Sequence, residues 1–480
     1  MSSASMAQSL PDYAELFCLT NFSFLHGASH AEELVARAVQ LGYSALAITD
    51  ECSLAGVVRA HAEAKKAALP LLIGAHFHLT RPDGGAALSL VLLAQNRHGY
   101  GNLSELITLA RTRSDKGSYL LHPADLDGLA DCLAILLPAY PGYDSAGVDR
   151  LHAQAAWIAA TFPGRAWLGL NLLHRAFDDA HRATVEEVAW QHGLPITAVG
   201  HVCMHVRSRK PLQDTLSAVR LGKPVAECGY ALAQNAEQHL RSRLRLANLY
   251  PPPALRETVR IAGLCHFSLD QLRYEYPDEL VPPGHTPASY LRGETYIGAH
   301  QRFPDGIPAG VQAQIEHELA LIAELGYEPY FLTVYDIVRF ARSAGILCQG
   351  RGSAANSAVC YCLHMTEVDP ARGNLLFERF ISRERAEPPD IDVDFEHQRR
   401  EEVIQYIYAK YGRDRAALAA AVATYRPKSA LRDSGKALGV DLAVVEKVAK
   451  AHHWFDGKRD LLGRMAECGL DPEAPLSRQW

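Results

Sequence analysis

The stretch PPDIDVDF, Pro388 to Phe395, sets an acidic residue at every second position: Asp390, Asp392 and Asp394, with Ile391, Val393 and Phe395 between them. In a strand, successive side chains point to opposite faces, so this spacing predicts three carboxylates on one face and an apolar face behind them. The apolar face calls for a core. Neighbouring carboxylates would stand roughly 7 Å apart, which is unfavourable unless solvent or cations lie between them. An Asp-x-Asp pair is also common on a solvated edge strand. Here the apolar backing and the entry through Pro388 and Pro389 speak against that reading.

A second stretch lies shortly upstream. ILCQGRGSAANSAVCYCL, Ile346 to Leu363, reads as a strand that runs into Gly350, Arg351, Gly352 and Ser353 and then into a helix opened by small residues. Such a turn offers free backbone N–H groups and a positive helix end to an anion, and phosphate is the natural candidate. Glycines permit close approach, Ser353 adds a hydroxyl, and Arg351 supplies a forked charged contact. A short glycine loop between strand and helix is more often a plain turn. The two stretches together are stronger: a phosphate-gripping turn beside two strand carboxylates is what two-metal phosphoryl or nucleotidyl transfer requires, with magnesium suited to hard oxygen ligands.

The rest of the chain gives the setting. At 480 residues it predicts two or three domains, and 48% hydrophobic with 21% charged residues is the composition of a folded, soluble protein. No leader-like start and no run near 20 apolar residues is present, so a cytoplasmic location is expected. Ten cysteines without a Cys-x-x-Cys pair suggest buried thiols. The net charge of −6 gives no support for nucleic acid, which leaves local clusters such as Arg207, Arg209, Lys210, the Arg241, Arg243, Arg245 set, and Arg399 with Arg400. Up to about residue 250, strand-like runs alternate with amphipathic helices, predicting an α/β domain with a mainly parallel sheet, open or closed into a barrel. Ser29 and Glu32 have the spacing of a capping box. Proline-rich segments near 250–286 then suggest a connection, and from about Ala416 the pattern is helical.

Four long strings carry a family resemblance: GYEPYFLTVYDIV from Gly326, QGRGSAANS from Gln349, GNLLFERFISRERAEPPDIDVDF from Gly373, and ATYRPKSALRDSGKALG from Ala423. They resemble the palm of bacterial C-family replicative polymerases, the alpha subunit of DNA polymerase III. DECSLAG from Asp50, VRSRKPLQDTLSAVR from Val206, and Asn356 in place of a usual glycine resemble the error-prone, damage-induced branch. The resemblance implies residues 1–270 as a PHP domain, a distorted β/α barrel, 271–425 as a nucleotidyltransferase-type palm, and 426–480 as the start of a helical thumb. It implies Asp392 and Asp394 as metal-binding catalytic aspartates, Asp390 as supportive, and Arg351, Gly352, Ser353 and Lys428 as triphosphate contacts. The implied activity is error-prone DNA-directed DNA synthesis in translesion replication with two Mg2+ ions, on primer-template DNA and dNTP, with other mutagenesis proteins and the sliding clamp as partners of the full-length protein. The family's third catalytic aspartate lies downstream of Trp480, so the chain is expected to be an N-terminal part. The alternatives are a non-catalytic fragment that binds DNA or proteins, and a PHP-type metal phosphoesterase. Against the latter, the family's first His-x-His positions read Phe17 and Leu19, Glu51 stands for a histidine, His76 for a glutamate, and the late Asp-x-His reads His201 and Cys203, while Asp50 is kept. The PHP metal cluster is therefore expected to be absent. His26, His30 and His205 are expected on the surface or satisfied in the core.

Overall fold

A computed structural model of the chain describes residues 10–81, 86–140, 145–273, 281–372, 380–381, 389–419, 421–453 and 457–480. The chain forms two compact units, one comprising residues up to Leu272 together with Thr424–Trp480, the other Arg273–Ala423.

The first unit is built on a seven-stranded sheet whose strands neighbour one another in chain order: β1 (Ala14–Glu15), β2 (Ala45–Ile48), β3 (Leu71–Thr80), β4 (Ala86–Ala94), β5 (Cys132–Leu137), β6 (Ala166–Leu170) and β7 (Ile196–Ala198). Pairing is parallel except on either side of β4, which is antiparallel to both β3 and β5. Beyond β1 and β7 the chain pairs again through a Cys18–Val202 bridge, with the Leu19 N–H donating to Val202 O at 2.8 Å. The two edges thus meet and the sheet closes on itself, which periodicity alone had left open. Alternation sorts the apolar side chains onto two faces. Val91, Leu93, Leu133, Ile135 and Trp167 share one buried cluster with Phe17 and Leu19, while Leu90, Leu92, Ala134, Leu136 and Leu168 join the helices in the other. The first helix, Ala31–Leu41, starts one residue later than the Ser29 spacing suggests. His30 takes the cap position, its N–H donating to Glu33, because the Ser29 hydroxyl is bonded to His205 Nδ1 at 2.8 Å. The helices Pro427–Ala437, Leu442–Ala451 and Lys458–Glu467 pack around Leu431, Val448 and Met465.

In the second unit, the helices Pro287–Arg302, Ala309–Leu325, Glu328–Ser343, Ala358–Cys362 and Arg400–Tyr411 surround a two-stranded antiparallel sheet, β8 (Cys348–Arg351) with β9 (Asp392–Phe395). Its core holds Leu291, Ile315, Ile322, Phe331, Val338 and Val359, against which Ile391 and Val393 pack. Phe395 packs into a smaller cluster with Ile346 and Val403. Among the described residues no helix is long and apolar enough to cross a membrane.

The close crossing of helices Pro287–Arg302 and Ala358–Cys362 depends on Gly298, where a Cβ would collide with the carbonyl oxygen of Cys362. Because both sides of that collision are fixed in helices, Gly298→Ala is expected to destabilise this unit by at least about 1–3 kcal/mol, read as an earlier urea unfolding transition.

Candidate nucleotide and metal sites

β9 owes its place to its apolar residues. With Ile391 and Val393 turned to the core, Asp392 and Asp394 are exposed on the opposite face. The strand begins at Asp392, so Asp390 lies two residues before it and does not start it as the alternation suggests; in that approach the Ile391 N–H donates to the Tyr330 hydroxyl at 3.1 Å. Register sets Gln349 opposite Asp394 and Arg351 opposite Asp392. From that position the Arg351 guanidinium reaches diagonally, its Nε 3.0 Å from Asp394 Oδ2. Gly352 follows with φ of +65°, a left-handed conformation that favours glycine, and a Cβ built there would stand 3.6 Å from Asp392 Oδ2. Arg351, Gly352, Asp392 and Asp394 are therefore one constellation. Ser353 lies in the same 3-10 turn, Gly352–Asn356, with its side chain outside the described residues, as are Pro388 and most of the segment from Gly373. Lys428 belongs to the other unit, exposed in the first turn of Pro427–Ala437.

The helix after the turn departs from expectation. Its N-terminus does not offer free N–H groups to a ligand, because the Glu318 carboxylate already occupies it. Glu318 accepts from the Ala358 and Val359 N–H groups, each at 2.9 Å, from the Ser357 hydroxyl at 2.7 Å and from Gln314 at 2.9 Å. Burial raises the Glu318 carboxyl to about 7, opposed by the bonds from Val359, Ala358 and Ser357. Ser357 caps the helix by accepting from the Cys360 N–H. An acid thirty-nine residues before its partner leaves no local spacing signal, and the sequence reading missed it.

The basic clusters are largely spent on internal partners. Arg241 is buried and donates to Leu172 O; Arg207 and Arg245 pair with Glu237, Arg209 with Glu33, and Arg243 with Asp12. Arg399 grips both oxygens of Glu402 and the carbonyls of Ala344 and Gly345, while Arg400 is exposed.

In the first unit, a cavity of about 420 Å3 is lined by Phe17, Leu19, Glu51, His76, His78 and His201, among others. Asp50 does not line it. Its buried carboxylate accepts from the Thr20 N–H and hydroxyl and the Ser23 hydroxyl. Cys203 is buried in the core, and burial pushes its thiol up to about 12. Desolvation lowers His201 to about 4 and holds His76 well below the ordinary histidine range. Phe17 packs on both imidazoles, stacked on His201 at 4.3 Å and tilted against His76 at 4.9 Å.

With this geometry in view, the similarities to known proteins fall into register. Residues 289–470 match the model of the bacterial DNA polymerase III alpha NTPase domain, and residues 15–183 that of the PHP domain. The chain is similar to proteins named error-prone DNA polymerase: 65% identical to that of Bordetella parapertussis over 99% of this chain, 63% to that of Burkholderia mallei over 98%, and 58% to that of Dechloromonas aromatica over 98%. The chain spans less than half the length of these relatives, 46%, 46% and 45% respectively.

Glu318→Ala would strand two buried backbone N–H groups and the Ser357 hydroxyl. The loss expected is about 1–3 kcal/mol for each unsatisfied group, seen as a large drop in the urea midpoint of this unit with the first unit's transition unmoved.

Proposed function

We propose that the chain carries the nucleotidyl-transfer site of an error-prone DNA-directed DNA polymerase, one that acts in damage-induced mutagenesis and translesion synthesis. The observation that supports this reading is the pairing of β8 with β9, which sets the turn at Gly352 against Asp392 and Arg351 against Asp394. In this reading residues 1–270 serve as the PHP domain, 271–425 as the palm and 426–480 as the start of the thumb. Primer-template DNA and dNTP are the substrates, the full-length protein works with the sliding clamp and other mutagenesis proteins, and the location is cytoplasmic.

Asp392 and Asp394 fit a divalent cation. They are hard oxygen donors on one exposed face, and Asp394 already attracts a positive group, the Arg351 guanidinium. Magnesium bound there supplies neutralisation of charge on the attacking and leaving oxygens. The primer 3′-oxygen bonds to the α-phosphorus of the dNTP as the bond to the bridging oxygen breaks, pyrophosphate leaves, and the hydroxyl proton passes to solvent. Arg351 and the N–H groups of the turn at Gly352 and Ser353 hold the triphosphate tail. Arg351 gives up little in exchanging partners, since so exposed an ion pair is worth about 0–1 kcal/mol. The PHP domain, with Phe17 and Leu19 in place of ligands, does not carry the multi-metal cluster needed for removal of 3′-terminal nucleotides.

Primer extension with Mg2+, by this chain and by a polymerase extended to the length of its relatives, tests the reading. Asp392→Ala and Asp394→Ala are each expected to lower the rate at least about a hundredfold, and Arg351→Ala to raise the KM for dNTP. Equal rates in the wild type and the aspartate variants would exclude it.

A further inference from the structure

His76 and His78 are two residues apart on β3, so their rings project from the same face of the strand. Glu51 is bridged to His76 in parallel fashion, which sets its carboxylate beside both imidazoles. One ligand atom from each of Glu51, His76 and His78 falls within 4.8 Å of the other two. His76 is 4% exposed, and its Nδ1 finds no hydrogen-bond partner among the described residues although its ring lines the cavity. A buried unpartnered imidazole nitrogen beside a carboxylate and a second imidazole is a costly arrangement unless something binds it.

The surroundings are arranged as ligand supports. His78 Nδ1 lies 2.6 Å from the Ser89 hydroxyl on β4, which orients the ring and leaves Nε2, 3.9 Å from Glu51 Oε1, to face the group. The Tyr119 hydroxyl donates to Glu51 Oε1 at 3.0 Å and accepts from the His78 N–H at 2.9 Å, tying the two strands' donors together.

We propose that Glu51, His76 and His78 form a three-ligand site for a single divalent transition-metal ion of the zinc type, with an open coordination position toward the cavity. The PHP fold implies a metal cluster, and the residues here fit one ion and not several. Two imidazoles and one carboxylate are a sufficient donor set for zinc with a fourth position left to solvent. Tetrahedral ligands about 2 Å from an ion stand roughly 3.3 Å apart, a closure that rotation of the half-exposed His78 ring can supply. Growth to a cluster is blocked by Phe17, whose ring packs on both His201 and His76, and by Asp50, whose carboxylate is committed to Thr20 and Ser23. The rearranged pair His201 and Cys203 does not contribute, since the Cys203 thiol is buried in the core and does not line the cavity.

The test is titration of the chelator-treated chain carrying Asp392→Ala and Asp394→Ala, which removes the site proposed in the second unit, with Co2+, read by visible d–d absorption, and with Zn2+, read by bound metal after gel filtration. One equivalent with a tetrahedral or five-coordinate cobalt spectrum is expected. His78→Ala, at an exposed position that leaves the fold intact, is expected to weaken binding at least about a hundredfold, and Tyr119→Phe roughly tenfold, the scale of an outer-shell loss. No stoichiometric binding by the wild type, two or more equivalents, or unchanged binding by His78→Ala would each overturn the assignment. These readouts involve neither DNA nor nucleotide, so they stand apart from primer extension.

Discussion

The second unit's chemistry depends on one constraint: the antiparallel register of β8 against β9. Ile391 and Val393 are anchored in the core, and that anchoring decides which way Asp392 and Asp394 face. A slip of one residue would bury two carboxylates and expose two branched apolar groups, at a cost of several kcal/mol for each uncompensated ion. The same register puts Arg351 diagonal to Asp394 and brings the left-handed Gly352 against Asp392. Charge balance at the sheet end is thus a consequence of apolar packing behind it.

The position of the glycine turn relative to that sheet is held from the far side by Glu318. A helix N-terminus next to a glycine-rich turn is ordinarily read as a ligand site, because four backbone N–H groups lack partners there. In this fold the protein supplies its own anion, and Ala358, Val359 and Ser357 are satisfied before any ligand arrives. The consequence is a division of labour. The helix end fixes the turn, and in the proposed function anion binding is left to Arg351 and the N–H groups of the turn itself. A loop held in this way enters binding already ordered, which lowers the entropy lost when a flexible phosphate tail is gripped.

Much of this was legible in the sequence, for a physical reason. Period-2 alternation in PPDIDVDF states both the secondary structure and the side that is wet, and glycines on either side of an arginine mark a turn that permits close approach. The alternation of strands and helices likewise showed the α/β character of the first unit, since each period reports a buried face. What remained hidden depends on contacts far apart in the chain. Glu318 serves residues about forty positions later, the closure of the sheet rests on a single bridge between Cys18 and Val202, and the spacing of Ser29 and Glu32 was misleading because His205 claims the serine. No window of local sequence contains both members of any of these pairs. The acidic partners of the Arg207 to Arg245 clusters are hidden from local sequence in the same way, since Glu237, Glu33 and Asp12 pair with them.

The cavity of the first unit shows how a ligand set can change without the fold changing. Strand ends around a closed sheet hold side chains at fixed separations whatever their identity, so exchanging histidine for glutamate at one position and glutamate for histidine at another preserves a donor pair. By the family resemblance Glu51 and His76 would be such an exchange, and His78 offers a third donor from the same strand face. The replacement by Phe17 is of another kind. An aromatic ring stacked on His201 at 4.3 Å fills volume that a second ion and its hydration would need, and it does so with favourable ring contacts of its own. Closing off a second ion and keeping a single site would therefore be separable in this scaffold: one bulky apolar residue at the strand end serves the first, and two imidazoles and a carboxylate facing the same space serve the second.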